Sequence, residues 1–194
     1  MTIHPLPLGY LQTNCYILQG DTGRCLVIDP ADSADVIFDF IQAKGLTLDA
    51  ILLTHGHFDH VGAVKDLAAE TDCPVYIHEA DLQLPPAITA GKLYHTHTYA
   101  EGDEIALAGL TFKVLHTPGH TPGSVCLCIE ADMFCGDTLF QGSCGRTDLP
   151  GGSPQTMRQT LHRLSQLEGS YTLWPGHGQS TTLAQEKRYN PYLR

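Results

Sequence analysis

The segment Thr54-His55-Gly56-His57-Phe58-Asp59-His60 sets three imidazoles and a carboxylate within six positions, directly after the apolar run Ala50-Ile51-Leu52-Leu53. A continuous apolar run of that length reads as a buried strand, so the cluster sits at a strand's carboxyl end, the edge where layered α/β proteins collect ligands. The strand fixes the backbone and the loop aims the side chains. One histidine alone is most often a surface or hydrogen-bonded core residue; three beside an aspartate are a set of metal ligands. The alternation His55-x-His57 projects two imidazoles from one extended face, while Asp59 and His60, at the turn into the next helix, point to a neighbouring position. Two adjacent metal positions follow, and neither is complete without ligands from elsewhere.

Three later residues share the same local grammar, a metal-competent side chain on a glycine-bearing loop just after an apolar run. His120 lies in Thr117-Pro118-Gly119-His120-Thr121-Pro122-Gly123 after the run ending at Leu115. Asp137 follows Met133-Phe134-Cys135-Gly136, and His177 follows Leu173-Trp174 in Pro175-Gly176-His177-Gly178.

The rest of the chain supplies a frame. Thr13 to Gln19 and Cys25 to Ile28 read as antiparallel strands joined at Gly20-Asp21-Thr22-Gly23. Asp32 to Lys44 has helical apolar spacing and stops at Gly45, and a second helix is expected from about Val61 to Glu70. A strand at Val75 to Ile77 precedes a stretch from Pro85 to about Ala100 that reads as a long loop. Strands at Glu104 to Leu107, Leu110 to Leu115, Val125 to Ile129 and Met133 to Cys135 follow, then a helix capped by Ser153 and running to about Leu167. Tyr171 to Trp174 is a short strand, and Thr181 or Thr182 caps a last helix ending before Pro191. Strands then helix, twice, fits two mixed sheets packed face to face with helices outside, in a single domain over residues 1–194.

Composition narrows the function. The formal net charge is -10, with no run of Lys or Arg to track a phosphate backbone, so nucleic acid is not an expected partner. No signal-like start and no membrane-length apolar stretch are present, which reads as cytoplasmic. The seven cysteines lack paired CxxC spacing and read as reduced core residues.

Taken together, Thr54 to His60, Thr117 to Ser124, Gly136-Asp137-Thr138-Leu139-Phe140 and Pro175-Gly176-His177-Gly178 resemble, in that order, the metallo-β-lactamase superfamily. The resemblance implies an αββα four-layer sandwich with metals at one edge between the sheets. It implies that His55, His57 and His120 bind one metal, that Asp59, His60 and His177 bind a second, and that Asp137 bridges them. Asp29, in Val27-Ile28-Asp29-Pro30, matches a position whose carboxylate holds a ligand histidine's other N–H; a turn-forming Asp-Pro is the plainer reading. The two ions would be divalent, zinc first, with iron and manganese also suited to imidazole and carboxylate ligands.

Paired metals lower the pKa of bound water to near 7 in the best cases and so supply a nucleophile without a serine or cysteine. Within the superfamily the chain is most similar to the glyoxalase II group of hydroxyacylglutathione hydrolases, in its short bacterial form without a C-terminal helical domain; 17 residues follow His177. The segment Ser143-Cys144-Gly145-Arg146-Thr147-Asp148 carries that likeness. It implies a small-molecule thioester substrate, glutathione-derived, with Asp59 and Asp137 catalytic and Arg146 on a substrate carboxylate. The plainer role for Arg146 is an ion pair with Asp148. The alternatives are a persulfide dioxygenase with one iron on His55, His120 and Asp137, and a lactone or ester hydrolase of the same fold. A β-lactamase is a weaker match, because zinc enzymes of the main class place cysteine where Asp137 stands.

Overall fold

The computed structural model describes residues 1–193. The chain begins with β1 (Thr2–Leu8), β2 (Thr13–Gln19), β3 (Arg24–Ile28), α1 (Ala34–Ala43), β4 (Thr47–Leu52), α2 (Phe58–Val61), α3 (Val64–Thr71) and β5 (Val75–His78). After a 3-10 turn at Glu79–Gln83 come β6 (His97–Tyr99), β7 (Glu104–Leu107), β8 (Leu110–His116), β9 (Val125–Ile129) and β10 (Asp132–Gly136). The remainder is β11 (Leu139–Phe140), β12 (Ser143–Cys144), α4 (Pro154–Ser165), β13 (Thr172–Pro175), β14 (Thr181–Thr182) and α5 (Leu183–Tyr189).

Strands β1 to β6 form one sheet in chain order, and the second sheet has the order β14-β13-β10-β9-β8-β7. Both are mixed: β3 through β6 run parallel, as do β10 and β13, while the other pairs are antiparallel. The period-two alternation of strand side chains divides the core into layers. Cys15, Ile17, Val27 and Ile51 face outward onto Ile37, Ile41 and Leu67 of α1 and α3. Their neighbours Tyr16, Leu18, Leu26 and Leu52 face inward onto Phe112, Val114, Leu127 and Phe134 of the second sheet. Met133, Cys135 and Leu173 point out the far side onto Met157, Leu161 and Leu164 of α4. Sheets buried on both faces need near-continuous apolar strands, and burying each such side chain contributes roughly 1.5–3 kcal/mol. The αββα sandwich is the result.

Several boundaries differ from the sequence expectation. β1 is an additional strand; its Pro5 and Pro7 lack the amide a central strand donates, and it survives as an edge paired only with β2. The expected loop from 85 to 100 contains β6, the opposite edge of the same sheet. The helix expected from Val61 begins earlier, at Phe58, and breaks at Gly62 and Ala63 where the backbone passes against the Ala31 carbonyl. Helix α1 starts at Ala34 rather than Asp32, because Ser33 takes a left-handed conformation with φ 54°. The caps fall as expected: Ser153 Oγ accepts from the Thr156 amide and Thr182 Oγ1 from the Gln185 amide.

Candidate metal centre

Four loops leave the carboxyl ends of β4, β8, β10 and β13 at one edge of the sandwich, and each brings ligand-type side chains to the same place. His55, His57 and His120 offer nitrogens that all lie within 4.8 Å of one another. Nδ1 of His57 and Nε2 of His120 are 2.8 Å apart. Asp59, His60 and His177 form a second set under the same limit; His177 Nε2 is 3.2 Å and His60 Nε2 3.8 Å from Asp59 Oδ2. Asp137 lies between the sets. Its Oδ1 is 3.4 Å from His60 Nε2, and its Oδ2 is 3.6 Å from Nε2 of both His120 and His177. The approach is close enough that Gly176 admits no side chain: a Cβ there would lie 2.3 Å from Asp137 Oδ1 and 2.6 Å from His60 Cε1.

Neighbouring groups decide which ring nitrogens face inward. His120 Nδ1 is 2.7 Å from the Arg146 carbonyl, an acceptor, so Nδ1 carries the proton and Nε2 the lone pair. Asp29, 2% exposed, accepts from the Thr54 amide at 2.7 Å, the Thr54 hydroxyl at 2.5 Å and His60 Nδ1 at 2.9 Å. Having given its proton to Asp29, the Thr54 hydroxyl can only accept from His55 Nδ1, 3.2 Å away. His55, His60 and His120 therefore all turn Nε2 toward the cluster. Asp29 also lies close enough to His55 and His60 to count as a third potential ligand group, but its oxygens are engaged by these donors.

Nε2 of His55, His57 and His60 and Oδ1 of Asp137 are buried without any hydrogen-bond partner. Buried polar atoms are nearly always paired, so the orphaned Nε2 atoms of His55 and His60 and Oδ1 of Asp137 fit cations that take their lone pairs, while His57 offers the cluster its Nδ1. The donor set, five imidazoles and two carboxylates, suits zinc, iron or manganese.

The two sets differ electrostatically. Burial lowers His57 to about 4 and pushes His55 well down, with neighbouring imidazoles adding to both; burial also lowers His120. Burial works against charge on His60 as well, but the carboxylates of Asp137 and Asp29 overcome it and raise His60 well above its usual value. His177 is likewise raised against burial, by its hydrogen bond to Asp59 and by Asp137. Asp59 and Asp137 are both held below the carboxylate range; burial opposes this, while His177 dominates at Asp59 and His60 at Asp137. Burial thus favours uncharged imidazoles in the first set, while the carboxylates of the second favour the protonated forms of His60 and His177.

A cavity of about 590 Å³ opens over the cluster. Leu11, Phe58, Ile88 and Phe140 give it apolar walls, and Cys144 and Arg146 close one side. Arg146 is 60% exposed and paired with Asp148 through Nε at 2.7 Å and Nη2 at 2.8 Å, the plainer of the two roles read from the sequence. The other histidines stay away from this cavity: His97 stacks on Tyr76 and His78 on His116. All seven cysteines are free. Sequence reasoning missed Asp81, a buried carboxylate whose place after β5 follows the same strand-then-polar-residue grammar.

The sequence profile of the Metallo-beta-lactamase superfamily matches residues 8–177. The chain belongs to this superfamily. Among superfamily relatives, a probable metallo-hydrolase, YqgX of Bacillus subtilis, is 39% identical over 97% of this chain and 95% of its own. Hydroxyacylglutathione hydrolase GloC of Haemophilus influenzae is 35% identical over 100% of this chain and 98% of its own. Of solved structures, BLEG-1 B3 metallo-beta-lactamase superimposes with a TM-score of 0.92 at 36% identity, covering 99% of each chain. TTHA1623 in a di-iron-bound form gives a TM-score of 0.87 at 41% identity, covering 98% of this chain and 100% of the other.

Proposed function

We propose that this protein is a binuclear metal-dependent thioester hydrolase acting as one domain, with a substrate of the hydroxyacylglutathione type. His55, His57 and His120 would hold one ion and Asp59, His60 and His177 the other, with the Asp137 carboxylate available to both. Two ions so placed supply Lewis acidity and a water-derived nucleophile at neutral pH. The GloC relative and the di-iron form of TTHA1623 support the substrate class and the pair of ions respectively.

The observation that carries the thioester reading is the composition of the cavity wall. Apart from the ligand residues, the titratable groups among the described residues lining it are Cys144 and Arg146. Burial raises the Cys144 thiol, and the Arg146 guanidinium is raised by Asp148, so neither transfers a proton readily near neutrality. A thiolate departs without protonation far more readily than an alkoxide does, so a wall lacking a general acid suits a thioester. Arg146 at the rim can exchange Asp148 for a substrate carboxylate, and the apolar walls exclude water from the acyl group.

The test is a comparison of the metal-loaded protein on S-D-lactoylglutathione, its oxygen-ester counterpart, a β-lactam and glutathione persulfide. Thioester cleavage at least about a hundredfold faster than oxygen-ester cleavage is expected. Oxygen uptake with the persulfide and no thioester cleavage would replace this reading with a persulfide dioxygenase; β-lactam turnover alone would replace it with a lactamase.

A further inference from the structure

Asp81 is fully buried and, among the described residues, has no ion-pair partner within 4.0 Å. Burying an unpaired carboxylate is costly unless donors surround it. Here Oδ2 accepts from the Gly56 amide at 2.8 Å and the Thr121 hydroxyl at 2.9 Å, and Oδ1 accepts from the Gly123 amide at 2.6 Å. Gly56 lies between His55 and His57, in the loop that leaves the first sheet. Thr121 and Gly123 follow His120, in a loop of the second sheet. One carboxylate therefore joins the two loops that carry the three imidazoles of a single set. The fit is tight on the second loop: a Cβ on Gly123 would meet Asp81 Oδ1 at 2.6 Å.

We infer that Asp81 is the positioning residue of the His55/His57/His120 metal position, and of that position alone. Its bonds reach the amide between His55 and His57, the hydroxyl of the residue after His120 and the Gly123 amide of the same loop, and none of Asp59, His60 or His177, whose set is braced by Asp29 through His60. Asp29 reaches both sets, His60 directly and His55 through the Thr54 hydroxyl, whereas Asp81 reaches the first set alone, so that set can be loosened without the other. The inference rests on the two-position reading above but not on the identity of the substrate.

Asp81→Asn keeps the shape and turns an NH₂ toward donors, so at least one of the three bonds becomes a clash of N–H against N–H or O–H. The full-length protein, freed of metal by chelation, is titrated with Co²⁺ alone and followed by visible absorption. His120→Ala and His177→Ala mark which binding step belongs to which position. The expected result is a 10–100-fold weakening of the step that His120→Ala removes, with the step that His177→Ala removes within about threefold of the unaltered protein. Equal weakening of both steps, or of neither, overturns the inference. Should Asp81→Asn fail to fold, Thr121→Val, which at constant volume deletes the hydroxyl's bond to Asp81 together with its bond to Ser124 Oγ, must weaken the same step; an unchanged step is then the overturning result. An unaltered protein that takes up one Co²⁺ would sink the two-position reading instead, and Asp81 would still be judged by whether Asp81→Asn loosens that ion.

Discussion

Asp29 Oδ2 accepts from His60 Nδ1 at 2.9 Å while Asp29 Oδ1 takes the Thr54 amide at 2.7 Å, so one carboxylate at the end of β3 grips both ends of the histidine motif. Asp29→Asn should remove the charge that orients His60 and leave an amide N–H facing donors. Metal affinity at the Asp59/His60/His177 set is expected to fall 10–100-fold. The metal-free protein should lose about 1–3 kcal/mol in urea denaturation. Unchanged affinity with a large stability loss would make Asp29 a purely architectural residue.

Asp59 and Arg146 separate chemistry from binding. Asp59→Ala removes a ligand held near His60 and His177, and kcat should fall at least about a thousandfold through loss of an ion. Arg146→Ala removes an exposed side chain at the cavity rim, so KM should rise about tenfold for a carboxylate-bearing thioester with kcat within about threefold. Equal losses of kcat in the two variants would show that their roles have been misread.

Metal uptake should depend on pH differently at the two positions. With His57 lowered to about 4 by burial, and His55 and His120 lowered as well, the first ion displaces no proton near neutrality, and its affinity should stay flat from about pH 6 to 8. His60 and His177 are raised by their carboxylates, so the metal-free fold keeps those protons to higher pH than free imidazole would. The second ion must expel them. Its affinity should fall as pH drops, by about tenfold per unit for each proton displaced. Calorimetric titrations in buffers of differing ionisation heat would count those protons; none released at the second step contradicts the assignment.

Gly176→Ala places a methyl against Asp137 Oδ1 and His60 Cε1 at distances no real Cβ tolerates. The ligands must shift, and a loss of about 1–3 kcal/mol in stability is expected together with weakened binding of both ions. Equilibrium dialysis against zinc would check it; full occupancy at wild-type affinity would mean the loop yields without disturbing either ligand.

The residues that converge at the candidate metal centre were legible in the sequence because each lies on a glycine-bearing loop after an apolar strand, a local pattern visible without coordinates. The layered frame was legible for a related reason, since strands buried on both faces such as Cys25 to Ile28 leave unbroken apolar runs. The edges were not. β1 carries two prolines and β6 only three residues, too little for periodicity to register. Asp81 escaped as well, because its partners are two amides 25 and 42 positions away and a threonine hydroxyl 40 positions away, groups too common in a sequence to mark a site.

The histidine motif and Asp29 belong to the first half of the chain and its sheet, while His120, Asp137 and His177 belong to the second. No ion can be chelated by the full set until the two sheets have docked, so coordination becomes one of the last events of folding. A bound ion would then act as a latch applied after the rate-limiting step: refolding should proceed at the same speed with or without metal, and only escape from the native state should slow.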